Sequence, residues 1–277
     1  MTRSLLRAFA ALCCAALLFA CEPAGTPAPV FTPEGAIAGG LFSVSDARHV
    51  QFSRGNLRYQ PSTGIWSFAS EQFESVGAAN SSIGPAYNGW IDLFGYGTGN
   101  NPTLVSTDPD DYPIYPFADW GANPIANGGN RPGLWRTLSA GEWNYLLDFR
   151  PDARNLRAYA IIRSGNDSIS GLILLPDEWV TPKKLDFFTT DLNQINVFTL
   201  KGWSIMQAAG AVFLPATGLR DTDDGNAVNY PKSGCYWAHD PFDDGLAFYF
   251  SFNSSGHTAN TLSPRTTGMA VLLVQDK

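Results

Sequence analysis

Gly234-Cys235-Tyr236-Trp237 opens, and Met269-Ala270-Val271-Leu272-Leu273-Val274 closes, the stretch whose reading decides the fold. Between them lies Leu246-Ala247-Phe248-Tyr249-Phe250-Ser251-Phe252, which alternates as a strand does. Leu246, Phe248, Phe250 and Phe252 point one way, and Ala247, Tyr249 and Ser251 the other. The connections on either side of this strand have the opposite chemistry. Ala238-His239-Asp240-Pro241-Phe242-Asp243-Asp244 precedes it, and Asn253-Ser254-Ser255-Gly256-His257-Thr258-Ala259-Asn260 follows it. Rigid strands that hold out polar, aromatic-flanked loops describe a binding surface.

Composition narrows the partners. The 277 residues are 44% hydrophobic and 13% aromatic, which excludes a disordered chain, and 27 Gly with 19 Pro imply many turns and short strands. The net charge is −7. Loss of a leader containing Arg3 and Arg7 leaves 16 basic against 25 acidic residues, a net −9. No basic run offsets this, so nucleic acid is not an expected partner.

Residues 1–20 are expected to be a signal peptide: Arg3 and Arg7 precede an apolar run that is short for a membrane span. Leu18-Phe19-Ala20-Cys21 has the form of a bacterial lipobox, which makes Cys21 the acylated residue and the membrane a partner through the N-terminal lipid. An ordinary secretory leader that contains Cys21 is the other reading. Cys13 and Cys14 leave with the leader, so Cys235 remains alone and no intramolecular disulfide is expected. Residues 21–40, rich in Pro, Ala and Gly, are expected to be a lipid anchor and extended tether, and residues 41–277 a single domain.

Within that domain Val50-Gln51-Phe52-Ser53, Asn56-Leu57-Arg58-Tyr59 and Ile65-Trp66-Ser67-Phe68-Ala69 predict strands, the last two joined by a Pro61-Ser62-Thr63-Gly64 turn. Residues 71–79 suggest a short helix. Residues 81–131 are irregular, yet Trp90, Ile91, Leu93, Phe94, Tyr96 and Trp120 suggest an ordered region held by its own aromatics. The clearest helix runs through residues 138–147. Ser139 and Glu142 have capping-box spacing, and Trp143, Leu146 and Leu147 share a face. A second helix is expected at residues 203–209, stopped by Gly210. Gly171-Leu172-Ile173-Leu174-Leu175-Pro176 and Gly210-Ala211-Val212-Phe213-Leu214-Pro215 repeat one buried-strand pattern.

Several phrases together carry a resemblance: Gly89-Trp90-Ile91-Asp92-Leu93-Phe94-Gly95, Asp119-Trp120-Gly121, Trp135-Arg136-Thr137-Leu138-Ser139 with Glu142-Trp143, the two Leu-Pro strands and Gly234-Cys235-Tyr236-Trp237. From about residue 42 onward the chain resembles Bacteroidetes-type exported lipoproteins with a C-type-lectin-like domain, the fold shared with formylglycine-generating enzymes. The resemblance implies an α+β C-type-lectin-like fold with short helices, twisted antiparallel strands and much loop. It also implies anchorage at the outer membrane or cell surface. Some relatives are targets of diversity-generating retroelements, which vary surface residues near the C-terminus. Here Cys235, Ala238, His239, Asp240, Thr266, Thr267 and Leu272 depart from the phrases of undiversified relatives. Diversification and ordinary drift both leave that pattern.

The candidate ligand-binding residues are Tyr236, His239, Asp240, Phe242, Asp243, Asp244, Asn253, Ser255, His257 and Asn260, with Trp237 assigned to the core. Aromatics give rigid contact area and short polar groups adaptable hydrogen bonds. The expected partner is a protein or glycan, and no catalytic role is expected. A formylglycine-type oxidase, which resembles this scaffold, holds copper with a cysteine pair, and here Cys235 stands alone, read as a small buried hydrophobe. A structural envelope component is a third reading. Asp221, Asp223 and Asp224 beside Gly225 offer some of the roughly six to eight oxygens that calcium takes. A solvated acidic turn is the alternative there.

Overall fold

Met269, Val271 and Leu273 enter one hydrophobic core, while Ala270, Leu272 and Val274 enter another. All six are buried. An extended segment that is apolar on every residue must be covered on both faces, and the rest of the molecule supplies the covers. The structure, a computed structural model, describes residues 31–112, 117–188, 195–223, 225–243 and 245–277. The expected signal peptide, Cys21, Asp224 and Asp244 lie outside those residues.

In chain order, β1 is Phe42–Ser45, β2 Arg48–Phe52, β3 Leu57–Gln60, β4 Ile65–Phe68 and β5 Arg136–Thr137. Helix α1, Ala140–Asn144, follows, then β6 Arg157–Ser164, β7 Asp167–Leu174, β8 Asn196–Thr199, α2 Leu200–Ala208 and β9 Val212–Pro215. The C-terminal part adds β10 Leu219–Arg220, β11 Ala227–Val228, β12 Ser233–Pro241, β13 Leu246–Asn253, β14 Gly256–Pro264 and β15 Leu273–Asp276. The fold is mixed α and β, with strand predominating. Its sheets run β1-β2-β15-β5, β12-β13-β14 and β8-β6-β7-β9, with two-stranded pairs β3-β4 and β10-β11. The pairings are antiparallel except β6 with β8.

The β12-β13-β14 sheet lies between the same two cores. Tyr236, Ala238, Phe250 and Phe252 face the first, and Cys235, Trp237 and Ala247 the second. Trp143 of α1 stacks on Phe250 with ring centroids 4.8 Å apart. The capping box forms as expected: Ser139 Oγ accepts from Glu142 N at 3.1 Å, and Ser139 N donates to Glu142 Oε2 at 2.8 Å. Trp143, Leu146 and Leu147 are fully buried. Helix α2 covers a third core built on the β8-β6-β7-β9 sheet, with Trp203 and Met206 packed among Ile162, Ile173 and Phe213. The two repeated strand phrases pair with each other there, Gly171 opposite Pro215 and Leu174 opposite Val212.

Two expectations need correction. Residues 31–40 of the expected 21–40 tether pack into the fold. Ala36 and Ile37 are fully buried, Ala36 bridges Ser53, and Ile37 N donates to Phe52 O. Composition read the glycines and prolines as linker, but Ala36 and Ile37 supply apolar surface that β2 buries. The helix suggested for residues 71–79 is replaced by a 3-10 turn at Gly77–Ser82. Val76 N is drawn to Asp92 Oδ2 at 2.9 Å, and Gly77 takes a left-handed φ of 62°, so the helical ladder cannot continue. On β13, Tyr249 packs partly buried against the second core. The irregular region 81–131 is ordered by its aromatics: Ile91, Phe94, Tyr96 and Trp120 are all buried in that core.

Candidate functional site

The three strands β12, β13 and β14 form a meander, so the connection before β13 and the connection after it lie at opposite ends. The register makes this concrete: Pro241 stands opposite Ala247, and Ser233 opposite Asn253. Seven residue steps separate Leu246 from Asn253, about 23 Å at the usual strand rise. The ten residues read as one surface therefore do not form one.

At the first end two carboxylates are occupied by backbone N–H groups. Asp240 Oδ2 accepts from Ala140 N at 2.6 Å, at the start of α1. Asp243 Oδ1 accepts from Gly245 N and Leu246 N, closing the hairpin. His239 is exposed, its ring 4.5 Å from Phe117, and its backbone is pinned by Leu138 O and the Tyr96 hydroxyl. Phe242 is 56% exposed and meets Phe248 edge-on. Tyr236 is removed from the candidate set. It is fully buried, its hydroxyl donates to Pro215 O at 2.8 Å and accepts from Asn56 Nδ2 at 3.2 Å. Burial pushes its phenol well above the ordinary range. The sequence offered a polar aromatic beside a loop; the structure closes it in because both of its hydrogen bonds are met inside.

The second end is open. Asn253, Ser254, Ser255 and Gly256 are exposed, and Asn253 Oδ1 accepts from Ser255 N at 2.7 Å, holding the turn. His257 lies beside Asp148, its Nε2 at 3.0 Å from Oδ1. Asp148 also pairs with Arg157, Nη2 to Oδ1 at 2.9 Å. Two clefts flank the turn. One, of about 550 Å³, has Arg154, Arg157, Tyr159 and Leu172 on one wall, with Asn253, Ser255 and His257 on the other. The second, of about 430 Å³, is lined by Asn229, Ser233, Tyr249, Ser251, Asn253 and Thr258. Asn260 is exposed farther along β14, beyond both. Of the predicted residues, then, Asn253, Ser255 and His257 come together, and His239, Asp240, Phe242 and Asp243 form a separate group.

Arg154, Arg157 and Tyr159 were missed by sequence reasoning. The signal available was that Arg150, Arg154 and Arg157 place three cations within eight residues of an acidic chain. Their approach to β14 is a tertiary contact that no local pattern encodes. Arg150 itself is buried and serves the core: Nη1 pairs with Asp177 at 2.8 Å, and Nη2 donates to Leu175 O.

Of the acidic loop, Asp221 and Asp223 are described and Asp224 lies outside the described residues. Asp221 Oδ1 accepts from Asp223 N, an internal turn bond. Among the described residues no group of three or more His, Cys, Asp or Glu side chains stands together to hold a metal. Cys235 is buried, and burial pushes its thiol up to about 11. No protein-family model matches the chain, and neither does any curated protein or solved structure.

Proposed function

We propose that this chain is an exported lipoprotein, acylated at Cys21 and held at the outer membrane or cell surface. Its domain is a C-type-lectin-like binding module with no catalytic role, and it takes a protein or glycan ligand at the 253–257 end of the β12-β13-β14 sheet. The observation that carries the reading is the exposed 253–256 turn between two clefts, on a sheet gripped by core on both faces. A sheet so clamped orders its loop tip in advance, which lowers the entropic cost of binding. The high-lying thiol of Cys235 also speaks against thiolate chemistry.

The test is binding by the full chain on glycan and protein arrays. Signals should vanish on Ser255→Trp, which fills the exposed turn, and persist on Phe242→Ala at the far end. Signals that survive Ser255→Trp, or vanish with Phe242→Ala alone, contradict this placement. For the anchor, the full chain produced in bacteria should incorporate a fatty-acid label that Cys21→Ala abolishes.

A further inference from the structure

The chain is acidic, yet one of its clefts is not. The basic side chains that line the 550 Å³ cleft are Arg154, Arg157 and His257, and no carboxylate among the described residues lines it. Arg157 is spoken for: Nη2 pairs with Asp148 and Nη1 donates to Ala153 O. His257 leans on the same Asp148. Arg154 is exposed, and among the described residues it has no hydrogen bond or ion pair. Two arginines against one carboxylate leave the cleft net cationic. In a chain with 25 acidic and 18 basic residues, a concave cationic spot concentrates anions that a net-negative surface repels.

The other lining groups narrow the anion further. Ser254 and Ser255 bring hydroxyls, Asn253 an amide, and Tyr159 with Leu172 aromatic and apolar lining. Hydroxyls and amides that can both donate and accept match ligand hydroxyls, and an aromatic lining matches the apolar face of a sugar ring. The volume lies in the range of small-molecule clefts, about 300–1,000 Å³, larger than one acidic side chain of a peptide would fill. We infer that this cleft binds a carboxylate-bearing saccharide, its carboxylate on the Arg154 guanidinium and its hydroxyls on the 253–255 turn. This rests on the reading that the 253–257 end is the binding surface, and adds the class of ligand.

The experiment is calorimetric titration of the full chain with trigalacturonic acid, with the neutral trisaccharide galactotriose, and with a glutamate-rich peptide. The acidic sugar should bind and the other two should not. Arg154→Glu should weaken binding by at least about tenfold, the scale of one lost charge-assisted hydrogen bond. The melting temperature should stay unchanged, because Arg154 has no described partner to lose. Added salt should weaken binding as well. No binding of trigalacturonic acid, or binding indifferent to Arg154→Glu, overturns the inference. Equal binding of the glutamate peptide overturns the saccharide assignment. If galactotriose binds as well and Ser255→Trp abolishes it, the inference fails while the 253–257 surface stands. If Ser255→Trp leaves every ligand bound, the surface itself is wrong.

Discussion

Tyr236 and Trp237 are neighbours in sequence, and each closes a different core: the Tyr236 ring lies in the first, with Phe250 and Phe252, and the Trp237 indole in the second, with Phe94 and Tyr96. Each also ends in an internal hydrogen bond, Tyr236 Oη to Pro215 O and Trp237 Nε1 to Phe94 O at 2.7 Å. Tyr236→Phe leaves the buried Asn56 Nδ2 without its partner, while Pro215 O keeps the Thr217 N–H, and should cost about 1–3 kcal/mol. Trp237→Ala opens a cavity and should cost about 3–5 kcal/mol. Urea unfolding measures both; a Tyr236→Phe variant as stable as the parent would show that the buried hydroxyl contributes nothing.

Strand β15 is tied at its end by charge. Asp276 accepts from Arg136 Nη2 at 2.6 Å, Arg136 pairs with Glu142 at 2.8 Å, and Arg48 reaches both carboxylates. Hydrogen bonding to Arg136 holds the Asp276 carboxyl below its ordinary 3.8. The unfolded chain therefore takes up the proton first as pH falls. The stabilisation is full above that ordinary value and is lost as pH drops through it toward the lower folded value. Urea midpoints from about pH 6 down to about pH 3 should fall more steeply for the parent than for Asp276→Asn. Parallel profiles would remove Asp276 from the acid response.

Cys235 should behave as packing. Its thiol, pushed up by burial to about 11, carries little thiolate at neutral pH. Alkylation followed by mass spectrometry should leave the Cys235 peptide unmodified in the native protein and modify it fully in denaturant. Rapid native labelling would place the thiol at an accessible, activated position.

Much of this frame was legible in the residues. The alternation at 246–252 marked a strand, the apolar run at 269–274 marked a buried segment that leads into β15, and Ser139 with Glu142 marked a helix start; each signal is local. What stayed hidden is long-range. That Tyr236 would spend its hydroxyl on Asn56, 180 residues away, has no local signature, so a buried tyrosine read as a surface one. The burial of Ala36 and Ile37 was masked by the glycines and prolines around them. The split of the candidate site is different, because it was derivable. Once 246–252 is a strand of an antiparallel meander, the polar loops on its two sides must lie at opposite ends.

The central claim is that ligand contact happens at the 253–257 end and not at the 239–243 end. Amide hydrogen exchange of the full chain, with and without a saturating amount of the brightest array ligand, tests this most directly. Protection should rise in peptides spanning residues 253–257 and 154–159 and stay unchanged across residues 239–243. Protection confined to residues 239–243 would contradict the account.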